Sequence, residues 1–169
     1  MVRFYDGCTG LKTGTTSKAG HCLAASAVRN DMELIAVVLA ADTGDNRFSN
    51  ARKLLDHGFA NFSAVKIEVD PAMLSLVKVK NGVMPTVQVR VRNPLSVLVP
   101  RGKEEKIAQS VQLAETVPAP IAENDLLGSV TVTLEGAVLG EIPLEAEHAV
   151  PKMTFSVALG WLLTALVKR

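Results

Sequence analysis

Residues 10–20 read Gly10-Leu11-Lys12-Thr13-Gly14-Thr15-Thr16-Ser17-Lys18-Ala19-Gly20, a lysine among small and hydroxylated residues with three glycines, and nothing comparable recurs later in the chain. Such residues form turns, and the segment after them is apolar. His21 to Val28 reads as a strand, and Met32 to Ala41 as a near-continuous apolar run typical of a buried central strand, with Arg29-Asn30-Asp31 turning between them. The quoted stretch is then the end of one strand plus a turn into an antiparallel neighbour, giving three consecutive antiparallel strands. A helix comes next: Asp45 or Asn46 can cap it, and Phe48, Ala51, Leu55, Phe59 and Phe62 recur at helical spacing. Arg47, Asn50, Lys53 and Asp56 take the opposite face, so the helix is amphipathic and packs on the sheet.

Past Phe62 the period changes. Lys66 to Asp70, Val77 to Lys80, Val87 to Arg92 and Val130 to Glu135 alternate between apolar and polar residues, the mark of half-buried strands. Asn81-Gly82, Asn93-Pro94, Arg101-Gly102 and Glu135-Gly136 punctuate them, and Pro118-Ala119-Pro120 marks a loop. Residues from about 63 to 150 therefore form a separate small all-β unit, a sandwich.

The last segment differs again. From Phe155 to Arg169 the polar or minimal residues Ser156, Gly160, Thr164 and Lys168 fall four apart, one narrow stripe on an otherwise apolar helix. A bilayer span needs about 20 residues, so the segment is short for crossing. It suits lying in a membrane interface with Trp161 near the headgroups; docking on the protein's own surface or on a partner is the alternative.

Composition narrows the classes. The chain has 169 residues, 48% of them hydrophobic and 21% charged, with a net charge of +1, which is globular and gives no electrostatic footprint for nucleic acid. Aromatic residues make up 4%, too few for base or sugar stacking platforms. Cys8 and Cys22 lack metal-ligand spacing and His21, His57 and His148 are scattered, so no zinc site is expected. The two thiols sit at different heights on the expected hairpin and read as small, partly buried and unbridged. The opening MVRFYDG has no charged-then-apolar leader.

Lys-Thr-Gly on a strand has a physical use. The lysine supplies a positive charge for a carboxylate, the threonine hydroxyl donates to the same group, and glycine lets a substrate backbone lie close. In an ideal strand Lys12 and Gly14 share one face while Thr13 takes the other. By itself the triplet is common. Its company is not: Asp6-Gly7-x-x-Gly10-Leu11-Lys12-Thr13-Gly14-x-Thr16-x-Lys18-Ala19-Gly20 resembles the third active-site motif of the penicillin-binding protein superfamily. The context GLKTGTTSKAGHCLAASA is similar to low-molecular-mass D-alanyl-D-alanine carboxypeptidases, of the peptidase S11 type, and the resemblance runs on through Asn46 to Phe59, with its Lys-Leu-Leu-x-x-Gly-Phe ending.

The resemblance implies an α+β chain. Residues 1–62 would be the C-terminal portion of a penicillin-binding/β-lactamase-like catalytic domain, three antiparallel strands plus a helix, with a face left for further helices. Residues 63–150 would be the small all-β sandwich, and 151–169 an amphipathic membrane-anchor helix. It implies that Lys12 polarises the site and positions substrate, that Thr13 binds the peptide's terminal carboxylate, and that Gly14 lines the same wall. Thr15 would offer a backbone N–H to the oxyanion hole, and Arg47 would assist with the carboxylate. A preorganised donor of this kind typically lowers the acylation barrier by a few kcal/mol. No cofactor or metal is implied. The partners would be peptidoglycan pentapeptide, β-lactams as acylating inhibitors of the parent enzyme, and the membrane surface through residues 154–169, at the extracytoplasmic face of the bacterial cytoplasmic membrane, with no nucleic acid.

One departure stands out. The superfamily acylates a serine in Ser-x-x-Lys and uses Ser-x-Asn, both before Lys-Thr-Gly, yet eleven residues precede Lys12 and no Ser-x-Asn occurs. Ser63-Ala64-Val65-Lys66 and Ser75-Leu76-Val77-Lys78 fit the first string, but both fall in the β-rich part, where a spacing of three points side chains to opposite faces. The expectation is a serine carboxypeptidase chain lacking its nucleophile and inactive alone. A non-catalytic envelope-binding module with a membrane-surface anchor is the alternative from another class. A β-lactamase-like or transpeptidase parent is a second, disfavoured by the β domain and the anchor.

Overall fold

The computed structural model describes residues 5–160, which divide between two compact units, Met1–Val65 with Ser96–Glu105, and Lys66–Leu95 with Lys106–Arg169.

In the first unit β1 (Cys8–Thr16), β2 (Gly20–Arg29) and β3 (Met32–Ala41) form an antiparallel sheet in the order β1-β2-β3, and α1 (Gly44–Asn61) comes after them. The β1–β2 turn closes with Thr16 opposite Gly20, where Ala19 N donates to Thr16 Oγ1 at 2.9 Å. At φ +61° Gly20 occupies the left-handed region that side chains rarely adopt. Asn30 and Asp31 make the β2–β3 hairpin with φ of 49° and 59°, the conformation of a type I′ turn. Cys8 pairs with Ala27 and Cys22 with Gly14, well apart along the hairpin, and both are free thiols.

Three local expectations need correction. Met32–Ala41 is an edge strand and β2 is the central one. Its near-continuous apolar run is half covered, since Ala36, Val38 and Ala41 are buried while Ile35 and Leu39 are each 71% exposed and Val37 58%. An apolar run marks a strand with two apolar faces but not whether both are covered. The helix is capped by Thr43, whose Oγ1 accepts Asn46 N at 3.1 Å, and not by Asp45 or Asn46. Phe62 is the residue after the helix and opens the next strand.

The core of this unit is the meeting of α1 with the sheet. Ala51, Leu55 and Phe59 are buried against Leu23, Ala25, Ala27, Ala36 and Val38. The alanines bring the helix close, and Gly58 leaves room for Leu34, whose Cδ1 would stand 2.5 Å from a Cβ there and would have to turn aside. Beside it, the Arg29 guanidinium lies between two rings, 4.5 Å from the Tyr5 centroid and 4.7 Å from that of Phe59. The Tyr5 hydroxyl donates to Asp56 Oδ1 at 2.7 Å, which ties the start of the chain to the helix. The first unit is completed by β4 (Phe62–Ile67), which pairs with the strand over Leu95–Pro100.

The second unit is mostly β. In chain order it contains β5 (Val77–Lys80), β6 (Thr86–Val87) and β7 (Val89–Val91). The chain then passes through β8 (Leu95–Pro100), the partner of β4, and residues 96–105 belong to the first unit. It continues as β9 (Ile107–Leu113), β10 (Thr116–Pro118), β11 (Leu126–Leu134) and β12 (Ala137–Ala146). One sheet has the order β10-β5-β6 and the other β7-β12-β11-β9. Their buried side chains include Val77, Val87, Val130, Val132, Ile142 and Leu144. Glu135 and Gly136 turn β11 into β12 with φ of 50° and 90°.

Here too the pattern needs amendment. Residues 68–70 lie beyond the end of β4, and the 87–92 run is broken at Gln88, whose carbonyl accepts Glu147 N at 2.9 Å. Pro118 is strand rather than loop, closing the parallel pairing of β10 with β5. It sits at a strand end, where a missing N–H costs little. Residues 155–160 are helical, with Phe155 82% exposed. Of the anchor helix expected over 151–169, residues 151–154 are not helical, Lys152 instead bridging to Gly82, and 161–169 lie outside the described residues; no helix among the described residues is long and apolar enough to cross a membrane.

Two measurements check this packing. Leu55→Ala should cost about 2–5 kcal/mol in chemical denaturation, whereas Leu54→Ala on the exposed side should cost less than about 1 kcal/mol. Burial pushes the Tyr5 phenol up to about 12, and the Asp56 carboxylate adds to the rise. The folded state therefore holds this proton more tightly than the unfolded chain. The stabilisation is complete below about pH 10 and fades as pH rises towards about 12. Tyr5 is the sole tyrosine, so the phenolate absorbance of the protein should titrate late and lose part of that delay in Asp56→Ala, the part due to burial remaining.

Candidate active-site wall

Lys12, Thr13, Gly14 and Thr15 are consecutive on β1, which is an edge strand with backbone groups open to an incoming chain. Cross-strand register assigns the faces. Lys12 stands opposite Ala24, which in turn faces Val37, on the side of the sheet away from α1. Thr13 stands opposite Leu23, which faces Val38, on the α1 side. Strand alternation thus sends the lysine and the threonine to different faces, while both border one shallow depression of about 260 Å³ shared with Gly14, Cys22 and Leu39. Lys12 also edges a second depression of about 280 Å³ with Gly10, Ser26 and Ile35.

Arg47 comes from the first turn of α1 to the same strand. Its Nη1 donates to Thr15 Oγ1 at 3.1 Å and to the carbonyls of Gly14 and Cys22 at 3.4 Å each. The guanidinium carbon lies 5.0 Å from the Phe48 ring centroid. Buried Nε has no partner, and Nη2 has none among the described residues. A cation is therefore fixed by one nitrogen and offers another, an arrangement suited to a carboxylate.

Thr15 is held from two sides, since its hydroxyl also lies 3.4 Å from His21 Nδ1. With Arg47 donating to Thr15 Oγ1, the hydroxyl hydrogen is free to point at His21. Sequence reasoning overlooked His21, although the pairing of Thr15 with His21 is determined once Thr16 is set opposite Gly20. The structure joins Arg47 to Gly14 and Thr15, and gathers Lys12, Thr13 and Gly14 around one depression. Ser63 lies on β4, and its hydroxyl donates to Glu104 at 2.6 Å, the main cause holding that carboxyl below its ordinary range. Ser75 precedes β5 in extended chain and Lys78 is on that strand, so neither Ser-x-x-Lys string lies on a helix.

Two family profiles match this sequence. One described as D-alanyl-D-alanine carboxypeptidase, peptidase S11, covers residues 2–43, and one described as penicillin-binding protein 5, C-terminal domain, covers residues 62–152. D-alanyl-D-alanine carboxypeptidase DacF of Bacillus subtilis is 31% identical over 156 residues, 92% of this chain and 40% of that protein. D-alanyl-D-alanine carboxypeptidase DacC of Escherichia coli is 36% identical over 136 residues, 80% of this chain and 34% of that protein. Among solved structures, penicillin binding protein 5 from Haemophilus influenzae superposes with a TM-score of 0.72 at 31% identity, over 87% of this chain and 43% of that one. The chain thus spans well under half the length of these relatives.

Replacing Arg47 by Lys keeps the charge but loses the planar group that stacks on Phe48 and that holds a second nitrogen free while Nη1 binds Thr15 Oγ1 and the two carbonyls. Urea denaturation should show a loss of about 1–3 kcal/mol, in line with hydrogen bonds to charged groups. Arg52→Lys, on the exposed side of the same helix, should be neutral.

Proposed function

Because the chain belongs to the low-molecular-mass penicillin-binding protein family of D-alanyl-D-alanine carboxypeptidases, we propose that it supplies one wall of a serine carboxypeptidase site that removes the terminal D-alanine of peptidoglycan stem peptides. The observation that carries this reading is Arg47 fixed on Gly14 and Thr15 beside the Lys12-Thr13-Gly14 edge.

In the proposed reaction the peptide lies along β1. Its terminal carboxylate is met by the Thr13 hydroxyl and by the free side of the Arg47 guanidinium, while Lys12 adds positive charge from the neighbouring face. The backbone N–H of Thr15 opposes the oxyanion as the carbonyl is attacked. The attacking serine, with its lysine, comes from a Ser-x-x-Lys segment that this sequence does not contain on a helix. The open sheet face with Ile35, Val37 and Leu39 is, in this reading, the seat of that segment. Residues 1–62 are then part of the catalytic domain and 63–150 a β-rich accessory domain. The segment 151–169 is, in this reading, an anchor to the extracytoplasmic membrane surface, supported by the helix over residues 155–160 and the exposed Phe155. β-Lactams would acylate the same missing serine, and no cofactor is needed.

A labelled penicillin tests this directly. The 169-residue chain should take no covalent label. Extended upstream by a region with Ser-x-x-Lys and Ser-x-Asn, it should label, and Lys12→Ala in the extended protein should slow labelling by about 100-fold or more, the scale of losing an electrostatic group at an acylation site. Label on Ser63 or Ser75 of the short chain would overturn the reading. Absence of label in the extended protein would favour a non-catalytic envelope-binding module.

A further inference from the structure

A cavity of the first unit lies at the far end of α1 from Arg47. Phe59 is twelve residues along the helix, roughly 18 Å at 1.5 Å per residue. The cavity measures about 440 Å³, within the usual range for small-ligand pockets. Its walls carry two arginines, Arg29 and Arg101, and no acidic side chain, with Met32, Phe59 and Phe62 as the apolar part.

Both guanidiniums are held in place with donors to spare. Arg29 is stacked between the Tyr5 and Phe59 rings, its Nε donates to Asp6 O at 3.1 Å, and its Nη1 lies 3.8 Å from Asp56. Its side chain is 27% exposed, and Nη2 has no partner among the described residues. Arg101 donates its Nε to Phe59 O at 3.1 Å and its backbone N–H to Asn61 O at 2.9 Å. These bonds satisfy carbonyls at the negative end of α1 that would otherwise repel an anion. Both η nitrogens of Arg101 remain unpartnered among the described residues. Two carboxylates stand at the cavity's margin, each also held by a hydroxyl: Asp56, near Arg29 Nη1, accepts from Tyr5, and Glu104, within electrostatic reach of Arg101, accepts from Ser63.

We infer that this cavity binds a phosphate ester with an apolar body. Two guanidiniums arriving from different elements suit a tetrahedral anion with several acceptor oxygens better than a planar carboxylate, which one arginine can satisfy. The apolar wall suits an aryl or acyl-glycerol group beside the phosphate. A soluble phosphate ester and a lipid headgroup share this chemistry.

The test is titration of the 169-residue chain, monitored by amide chemical shifts, with three probes: inorganic phosphate, phenyl phosphate and a monomeric short-chain phosphatidylglycerol. Shifts should concentrate at residues 59–64 and 101. Phenyl phosphate should bind about tenfold more tightly than inorganic phosphate through burial of its ring, and the stronger of the two organic probes identifies the source. Arg101→Gln should weaken all three about tenfold. Because that change also removes a bond at the helix end, Phe62→Leu serves as a second variant: it keeps both arginines and should reduce the preference for the ester while leaving inorganic phosphate unaffected. Equal binding of all probes to both variants, or shifts spread away from this cavity, would overturn the proposal.

Discussion

The contact between one face of α1 and the sheet is the constraint on which the first unit depends. Ala51, Leu55 and Phe59 meet a surface made largely of alanines, and small residues on both sides let the helix settle close to the strands. Close packing fixes the helix axis, since displacement would open voids or force overlap in an interior of high density. The two ends of α1 are then determined as well. At one end Arg47 falls on Gly14 and Thr15. At the other, Phe59 completes the stack on Arg29. Chemistry at both ends is a consequence of packing in the middle.

The wall around β1 shows how a strand can present unlike groups to one ligand. Alternation separates Lys12 from Thr13, yet an edge strand exposes both faces near its rim, so charge from one side and a hydroxyl from the other reach the same space. Arg47 adds a donor from a third direction while being tied to the backbone of the strand it serves and of its neighbour β2. Its position therefore tracks β1 itself, and preorganisation of this kind lowers the cost of ordering the site when a ligand arrives.

Much of this was legible in the sequence, for identifiable reasons. Consecutive strands joined by Asn30-Asp31 and a helix with three buried positions at helical spacing are local features, and local patterns carry them. Lys12 to Thr15 are readable as a group because they are neighbours. Arg47 is not, since a hairpin and a further strand separate it from them, and only the family resemblance singled it out. The order of strands was hidden for a different reason: Met32–Ala41 is apolar on both faces whether or not both are covered. The Tyr5–Arg29–Phe59 stack and the capping of α1 by Arg101 join residues far apart in the chain, where periodicity says nothing. Thr43 was the missed signal closest at hand, three residues before Asn46 in the spacing of an N-cap.

The excursion of residues 96–105 into the first unit bears on how the chain is made. A nascent polypeptide leaves the ribosome from its N-terminus, and domains usually fold as each is completed. The first unit cannot be completed at residue 65, because β4 has no partner strand until Leu95–Pro100 emerges. A stretch of the second unit, including β5 to β7, is synthesised in the interval. Translation order and folding order are therefore interlocked. A gene fusion or deletion that treats residue 62 as a clean seam would carry β4 and β8 away together and strip Arg101 from the carbonyls of Phe59 and Asn61, leaving the last turn of α1 without those donors.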